Sequence, residues 1–505
     1  MRTFRPIPFL LLAAALATLA SARPALAAGI PDRPEKLTFP PFTFSPPSAA
    51  AYRTTLPSGP VAYVAEDREL PLVSISITLR GGRYLDPAGK EGLAELTGYL
   101  LSRAGTKSFT AEEQEERLAF LAANAGSSIG DDRGGVSLNL LSKDLDEGLK
   151  ILREILTEPR FQESRLTLRK EQLLTEMKTR NDESQEIESR ERSFLALGEG
   201  FFSNRFPTKA SIDSIRREDL VAFHREWFDP RNMIVAASGD FSRAEMVKKL
   251  DALFAAWPYQ GKAAPAVPKP DHQMPAGLFL VDKDVNQGRV SILLPGVLRT
   301  DPDFFAIQLM NDILGGGGFT SRITNRVRSD EGLAYSASSR VSGGVWFPGL
   351  VSVSFQSKVR TCSYATQIVL EEMGRMKSAE VTDEELLTAK RSFVETLSRR
   401  FATKSQTMGL FVDEELTGRF GLDPAYYSNF RANVEKVTKA DVKRAAERLL
   451  ATGSATVLVV GKKSDLLSPD PKHPVPYPSL TGGKVTDLPL RDPMTMKPVA
   501  APPSR

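Results

Sequence analysis

The chain has 505 residues, 66 Lys and Arg against 62 Asp and Glu, three histidines and one cysteine. That charge balance leaves no electrostatic footprint for nucleic acid or an anionic membrane surface, and a lone Cys362 excludes an internal disulfide framework. His224, His272 and His473 are far apart in sequence, so a zinc site made within the chain would have to be mostly carboxylate, which is rare for zinc.

Residues 1–27 read as a signal peptide. Arg2 and Arg5 precede the apolar run FLLLAAALATLA, and Ala25-Leu26-Ala27 is a small-x-small cleavage site. The run is too short for a mature transmembrane helix and no later segment is long enough, so a periplasmic or secreted location is expected. VSISITLRGG (Val73 to Gly82) alternates as a half-buried strand, and KEGLAELTGYLLSRAGT follows as a buried helix between Gly92 and Gly105. On that helix Glu95 and Tyr99, four residues apart, share a face with Gly98 beside them. GVSLNLLSKD is a second alternating strand. DEGLKILREILTEP and SRLTLRKEQLLTEMKTRNDES carry helical spacing. REDLVAFHREWFDPRNMIVAASGD reads as helix, loop, apolar strand and Gly, with His224 as a packed structural histidine.

GKAAPAVPKPDHQMPAG (Gly261 to Gly277) carries four prolines and no apolar periodicity, as an extended linker does. Beyond it the pattern repeats. Val73 of the first strand recurs at Val290 of VSILLPGVLR, and Gly239 recurs at Gly461, offsets of 217 and 222 residues. Two distant anchors sharing nearly one offset imply a duplicated unit of about 220 residues. The fold class is α+β, each unit having sheets covered on one face by helices. The boundaries are 1–27 signal peptide, 28–257 N-terminal unit, 258–277 linker, 278–467 C-terminal unit and 468–505 Pro-rich tail. Ten of the 37 residues from Pro469 to Arg505 are proline, which predicts a tail that is extended, disordered or laid along the surface.

Three blocks, LPSGPVAYVAEDRELPLVSISITLRGGRYLDPAGKEGLA, NRFPTKASIDSIRREDLVAFHREWFDPRNMIVAASGDF and GGGFTSRITNRVRSDEGLAYS, resemble the insulinase/pitrilysin-like zinc metallopeptidases, the inverzincins. The resemblance runs from about Tyr52 to Leu466 and includes the duplication. In active members the helix after the first turn carries H-x-x-E-H, two zinc ligands and a general base, and a second Glu some 77 residues downstream completes the ligand set. Here those positions are Glu95, Gly98, Tyr99 and Glu176, a degenerate metal site with only the distal carboxylate kept. On their own terms, Glu95 and Glu176 read as solvated or salt-bridged helix carboxylates. The resemblance also implies that Arg328 and Tyr335, seven residues apart, hold the substrate backbone. Both side chains donate hydrogen bonds, which suits a peptide carbonyl and the oxyanion formed from it. The run Gly315 to Gly318 lacks the Lys of a phosphate loop and reads as a helix cap and close turn.

These residues imply a non-catalytic, substrate-binding subunit of a periplasmic two-chain metallopeptidase, forming half of a peptidase chamber and inactive alone. No catalytic residue, metal or cofactor is expected in this chain. Zinc and H-x-x-E-H are expected on a partner chain, with peptides or unfolded proteins as substrate. The alternative is a zinc-free structural or peptide-binding scaffold with no peptidase role.

Overall fold

The computed structural model describes residues 44–255 and 257–499, together with Arg33, Lys36 and Leu37. The signal peptide lies outside the described residues. From Pro46 onward the chain is one compact unit, built around two six-stranded sheets.

The first sheet contains β1 (Arg53–Thr55), β2 (Val61–Glu66), β3 (Leu72–Arg80), β4 (Asn124–Ile129), β5 (Arg133–Leu141) and β6 (Met233–Gly239), in the order β1-β2-β6-β3-β5-β4. The second contains β7 (Gly277–Asp282), β8 (Gln287–Pro295), β9 (Ala334–Val341), β10 (Leu350–Lys358), β11 (Thr456–Gly461) and β12 (Val485–Leu488), in the order β9-β10-β8-β11-β7-β12. Strands β2 to β6 and β7 to β11 take equivalent places with equivalent directions. Across these five equivalent strands of each sheet, one parallel pair is followed by antiparallel neighbours. The duplication in sequence is thus a duplication of topology.

Alternation makes β3 half-buried, with Val73, Ile75, Ile77 and Leu79 turned inward. On them lie the apolar stripes of α1 (Leu93–Leu101), α2 (Leu145–Thr157) and α5 (Arg217–Trp227), through Leu96, Ile155 and Phe223 among others. Each such side chain contributes about 2 kcal/mol by leaving water. Two further first-half helices, α3 (Glu163–Lys178) and α4 (Ser184–Leu197), follow α2. In the second half α6 (Cys362–Ser378) packs on β8 and β10.

Strands β6 and β11 are buried at every residue, which one covered face does not explain. Each sheet receives on its other face a helix from the opposite half. Following α7 (Asp383–Thr396), helix α8 (Lys404–Leu416) sets Met408, Phe411, Val412 and Leu416 against Tyr63, Ala65, Ile234 and Ala236 of the first sheet. Reciprocally, α4 sets Ile187 and Leu195 against Phe279, Val281, Leu458 and Val460 of the second. Polar contacts fix the first exchange. Arg53 grips Glu415 through two hydrogen bonds of 2.9 and 3.0 Å, the Tyr63 hydroxyl donates to the same carboxylate at 2.8 Å, and Arg80 donates to the helix-end carbonyl of Leu416 at 2.6 Å.

The linker has no helix or strand before Gly277, so nothing ahead of β7 can serve its outer edge as β1 serves β2. The tail fills that place. Tyr477 is fully buried and its hydroxyl donates to the Cys362 carbonyl. β12 then pairs in parallel with β7. Further on, Arg491 is buried over the Phe194 ring of α4 and forms ion pairs with Glu191 and Glu199. The Arg491 and Pro493 carbonyls accept from Asn181 and Arg180, and Lys209 N donates to the Met494 carbonyl. The tail is largely extended, apart from a 3-10 turn at Tyr477–Thr481, and it is stitched first to one half and then to the other.

Candidate functional site

Helix α1 opens on Gly92, held at φ 103°. The Asp86 carboxylate accepts from Gly92 N and Ala94 N at 3.0 and 2.7 Å, which anchors the helix start. Gly98 lies in the middle of α1 against β4. A Cβ there would come within 2.3 Å of the Ile129 backbone nitrogen. The Ser127 hydroxyl donates to the Gly98 carbonyl at 2.6 Å, and Ser102 N donates to that hydroxyl at 3.0 Å. The missing side chain is what lets helix and strand touch, and no general base fits at this position.

Glu95 and Tyr99 face α3, and the residue that meets them is Arg169. Its guanidinium donates to Glu176 at 2.8 Å, lies 3.7 Å from Glu95, and sits 4.5 Å from the Tyr99 ring centre. Arg103 flanks the same ring at 4.6 Å. The Arg169 side chain is only 14% exposed, and its Nε has no hydrogen-bond partner among the described residues. These residues do not fit a zinc ion. A guanidinium already supplies positive charge between the two carboxylates, and a phenol flanked by two cations replaces the second nitrogen ligand. Among the described residues there is no group of three His, Cys, Asp or Glu able to hold a metal. The spacing of seven between Arg169 and Glu176 places both on one face of α3, a signal available in the sequence that resemblance to a zinc site passes over.

Beside the pair opens a cavity of about 470 Å3, lined by Arg83, Glu95, Glu176, Arg180, Glu186 and Arg190 among others. Arg180 at its wall donates to the Pro207 and Pro493 carbonyls, so the tail borders this space. His224 is remote from it in contacts. Its ring is within hydrogen-bond distance of the Leu156 carbonyl (2.9 Å) and packs against Phe228 and Phe161, and burial pushes its pKa down to about 3.

The second-half pair is placed by a wide helical turn (Asn325–Asp330) and the edge strand β9. Three arginines in this region have different fates. Arg322 is held by Glu385 of α7 through two bonds of 2.6 and 2.8 Å, and Arg326 pairs with Glu372 of α6 at 2.9 Å. Arg328 has no ion pair or hydrogen bond among the described residues. Its guanidinium carbon lies 4.4 Å from the Phe319 ring centre and 5.3 Å from that of Tyr335. Tyr335 is 87% exposed. The structure therefore brings Arg328 and Tyr335 together at the surface, with their donors unspent.

The sequence profile of the insulinase family, peptidase family M16, matches residues 62–197, and that of the peptidase M16 inactive domain matches residues 214–393. A Helicobacter pylori protein described as the non-peptidase homolog YmxG is 27% identical over 360 residues, covering 68% of this chain and 80% of its own. A Bacillus subtilis protein described as the probable inactive metalloprotease YmfF is 27% identical over 173 residues, 33% of this chain and 38% of its own. Among solved structures, a peptidase M16 inactive domain from Pseudomonas fluorescens superposes with a TM-score of 0.72 at 23% identity, covering 81% of this chain and 97% of that one. The periplasmic protease PqqL from Escherichia coli gives 0.70 at 16% identity, covering 89% of this chain but 50% of that one. With both profiles matched in order along one duplicated α+β chain, this protein belongs to the insulinase family of peptidases, family M16, as a member without H-x-x-E-H.

Proposed function

We propose that this chain is the non-catalytic, substrate-binding subunit of a periplasmic two-chain zinc metallopeptidase. The observation that carries the reading is the Arg328–Tyr335 pair, an exposed phenol and a half-buried guanidinium with donors unspent, beside two arginines fully engaged in ion pairs. A surface guanidinium and phenol at one spot grip a peptide carbonyl and stabilise negative charge developing on it. The zinc and the H-x-x-E-H helix belong to a partner chain, and this chain closes the other half of the chamber. That the chain, with both its units, covers half the length of PqqL supports a half-chamber. The relatives described as non-peptidase or inactive support the absence of chemistry in the chain alone. The signal-like residues 1–27 support the location, and among the described residues no helix is long and apolar enough to cross a membrane. Unfolded peptides fit the site, held in part by strand addition to a sheet edge.

The test is isolation of the protein from its own cells, followed by a peptide-cleavage assay. A co-eluting H-x-x-E-H chain is expected, with cleavage abolished by a zinc chelator and lowered about 100-fold by Arg328→Ala, the usual cost of losing one oxyanion donor. A chain that elutes alone and is inert moves the assignment to a zinc-free scaffold, a reading equally compatible with the Arg169-filled first site.

A further inference from the structure

Helix α5 carries two arginines, Arg217 and Arg225, and neither meets a carboxylate. Eight residues apart, with Val221 midway, they share one face of the helix. That face lines a cavity of about 810 Å3, together with Lys107, Arg160 and Tyr259. Arg217 donates twice to the Arg160 carbonyl, at 3.0 and 2.8 Å, and Arg160 donates to the Thr106 and Lys107 carbonyls at 2.8 and 2.9 Å. Backbone oxygens thus hold both guanidinium groups in place without neutralising them. Arg225 is exposed and has no ion pair or hydrogen bond among the described residues. Glu158 is the one acidic residue in the lining, and it is already paired with Lys107 at 2.7 Å. Nearby Glu154 accepts from the hydroxyls of Thr106 and Ser108.

The duplication supplies a comparison. The offset of 222 that relates Gly239 to Gly461 also relates α5 to helix Lys439–Leu449. There every lysine and arginine lies beside a carboxylate: Lys439 beside Asp383, Lys443 beside Glu447, Arg444 beside Asp303 and Arg448 beside Asp301. Glu447 stands in the place of Arg225. The fold can match these charges, and in the first half it leaves them unmatched around a cavity.

We propose that this cavity is a binding site for extended acidic peptides, separate from Arg328 and Tyr335, neither of which lines it. Eight residues of α-helix set Arg217 and Arg225 about 12 Å apart. An extended chain rises about 3.3 Å per residue and turns every second side chain to the same side, so residues four apart present carboxylates about 13 Å apart on one face. One carboxylate meets Arg217, with Arg160 beside it, and the other meets Arg225, each through charge-assisted hydrogen bonds. The ligand class is therefore an extended peptide with two acidic residues separated by three others.

The test uses fluorescent nonapeptides of serine and threonine, capped at both ends and titrated by anisotropy against the full mature chain. One carries Glu at its third and seventh positions, one carries Glu at its third and fourth, and one carries Gln at its third and seventh. The first is expected to bind about tenfold more tightly than the Gln peptide, and the second to fall short of the first because its carboxylates point to opposite faces. Arg225→Glu changes an exposed side chain and should bring the first peptide to within about twofold of the Gln peptide. The same variant should bind a peptide with Glu third and Lys seventh more tightly than the parent does, a reversal that a merely damaged fold would not give. Equal binding of the three peptides by the parent, or a preference that survives Arg225→Glu, overturns the site. A preference lost instead in Arg328→Ala places acidic peptides at the other pair and also overturns it. Displacement of the first peptide by tripolyphosphate at lower concentration than by unlabelled peptide would assign the cavity to phosphate compounds and overturn the peptide as its ligand.

Discussion

At the scale of single residues, the first site is an ion cluster at the positions where the resemblance would put a zinc site. Arg169 sits where two carboxylates and a phenol would otherwise surround empty charge. Glu176 is 60% exposed, so the pair is modest, and Arg169→Met should cost about 1 kcal/mol in a denaturant melt, chiefly from the Tyr99 contact. Gly98→Ala is a harsher change, because the new methyl meets backbone rather than a side chain that can turn away. It should cost about 3 kcal/mol, and restoring a glutamate there should fail for the same reason. His224 gives a pH signature. Its folded pKa, near 3, lies below the 6.5 of an ordinary histidine, so the folded state binds fewer protons than the unfolded one. The stability this contributes is complete above pH 6.5 and is lost as pH falls toward 3. His224→Gln, which can keep the bond to the Leu156 carbonyl, should show a smaller loss of melting temperature between pH 7 and pH 4.5 than the parent. The positions Glu95, Gly98, Tyr99 and Glu176 were picked out through the resemblance, which supplies the spacing to look for. Arg169 was passed over, although its spacing of seven from Glu176 was there to read, because the resemblance marks where a family keeps its chemistry and is silent on what moves in when it changes.

At the scale of elements, the strands and most helices follow from period. The alternation in VSISITLR becomes β3 and the 3.6 spacing of DEGLKILREILT becomes α2. The exchange of α4 and α8 was not legible, although the wholly apolar MIVAA and VLVV of β6 and β11 announced burial on both faces. A hydrophobic run says that two covers exist; it does not say which part of the chain supplies the second. Phe411 is the largest side chain α8 sets into the first sheet and is fully buried there. Phe411→Ala should therefore lower stability by about 4 kcal/mol although it lies in the other half of the chain, a result readable by chemical denaturation. Of the three expectations for the tail, the extended one holds, and what stayed hidden is the strand pairing. Its prolines work against long helices and strands, and the composition matches that of disordered segments, yet a short 3-10 turn (Tyr477–Thr481) forms and four proline-free residues, Val485 to Leu488, suffice to pair with β7.

For the whole molecule, the two halves are not independent domains, because each leaves one sheet face to a helix of the other. Residues 28–257 and 278–505 expressed separately should each fail to give a cooperative melt, and co-expressed they should elute as one complex with a single transition. The tail adds a consequence for biosynthesis. β7 is complete at Asp282, but the strand that covers its outer edge begins only at Val485. While the intervening chain is being made, the nascent protein carries a bare strand edge, the kind of template on which chains pair with one another. Native pairing must also wait for one of the longest loop closures in the sequence, which slows the final step. The ribosome therefore releases this protein with its last closure still to be made, and a chain stopped short of residue 485 keeps an adhesive edge for good.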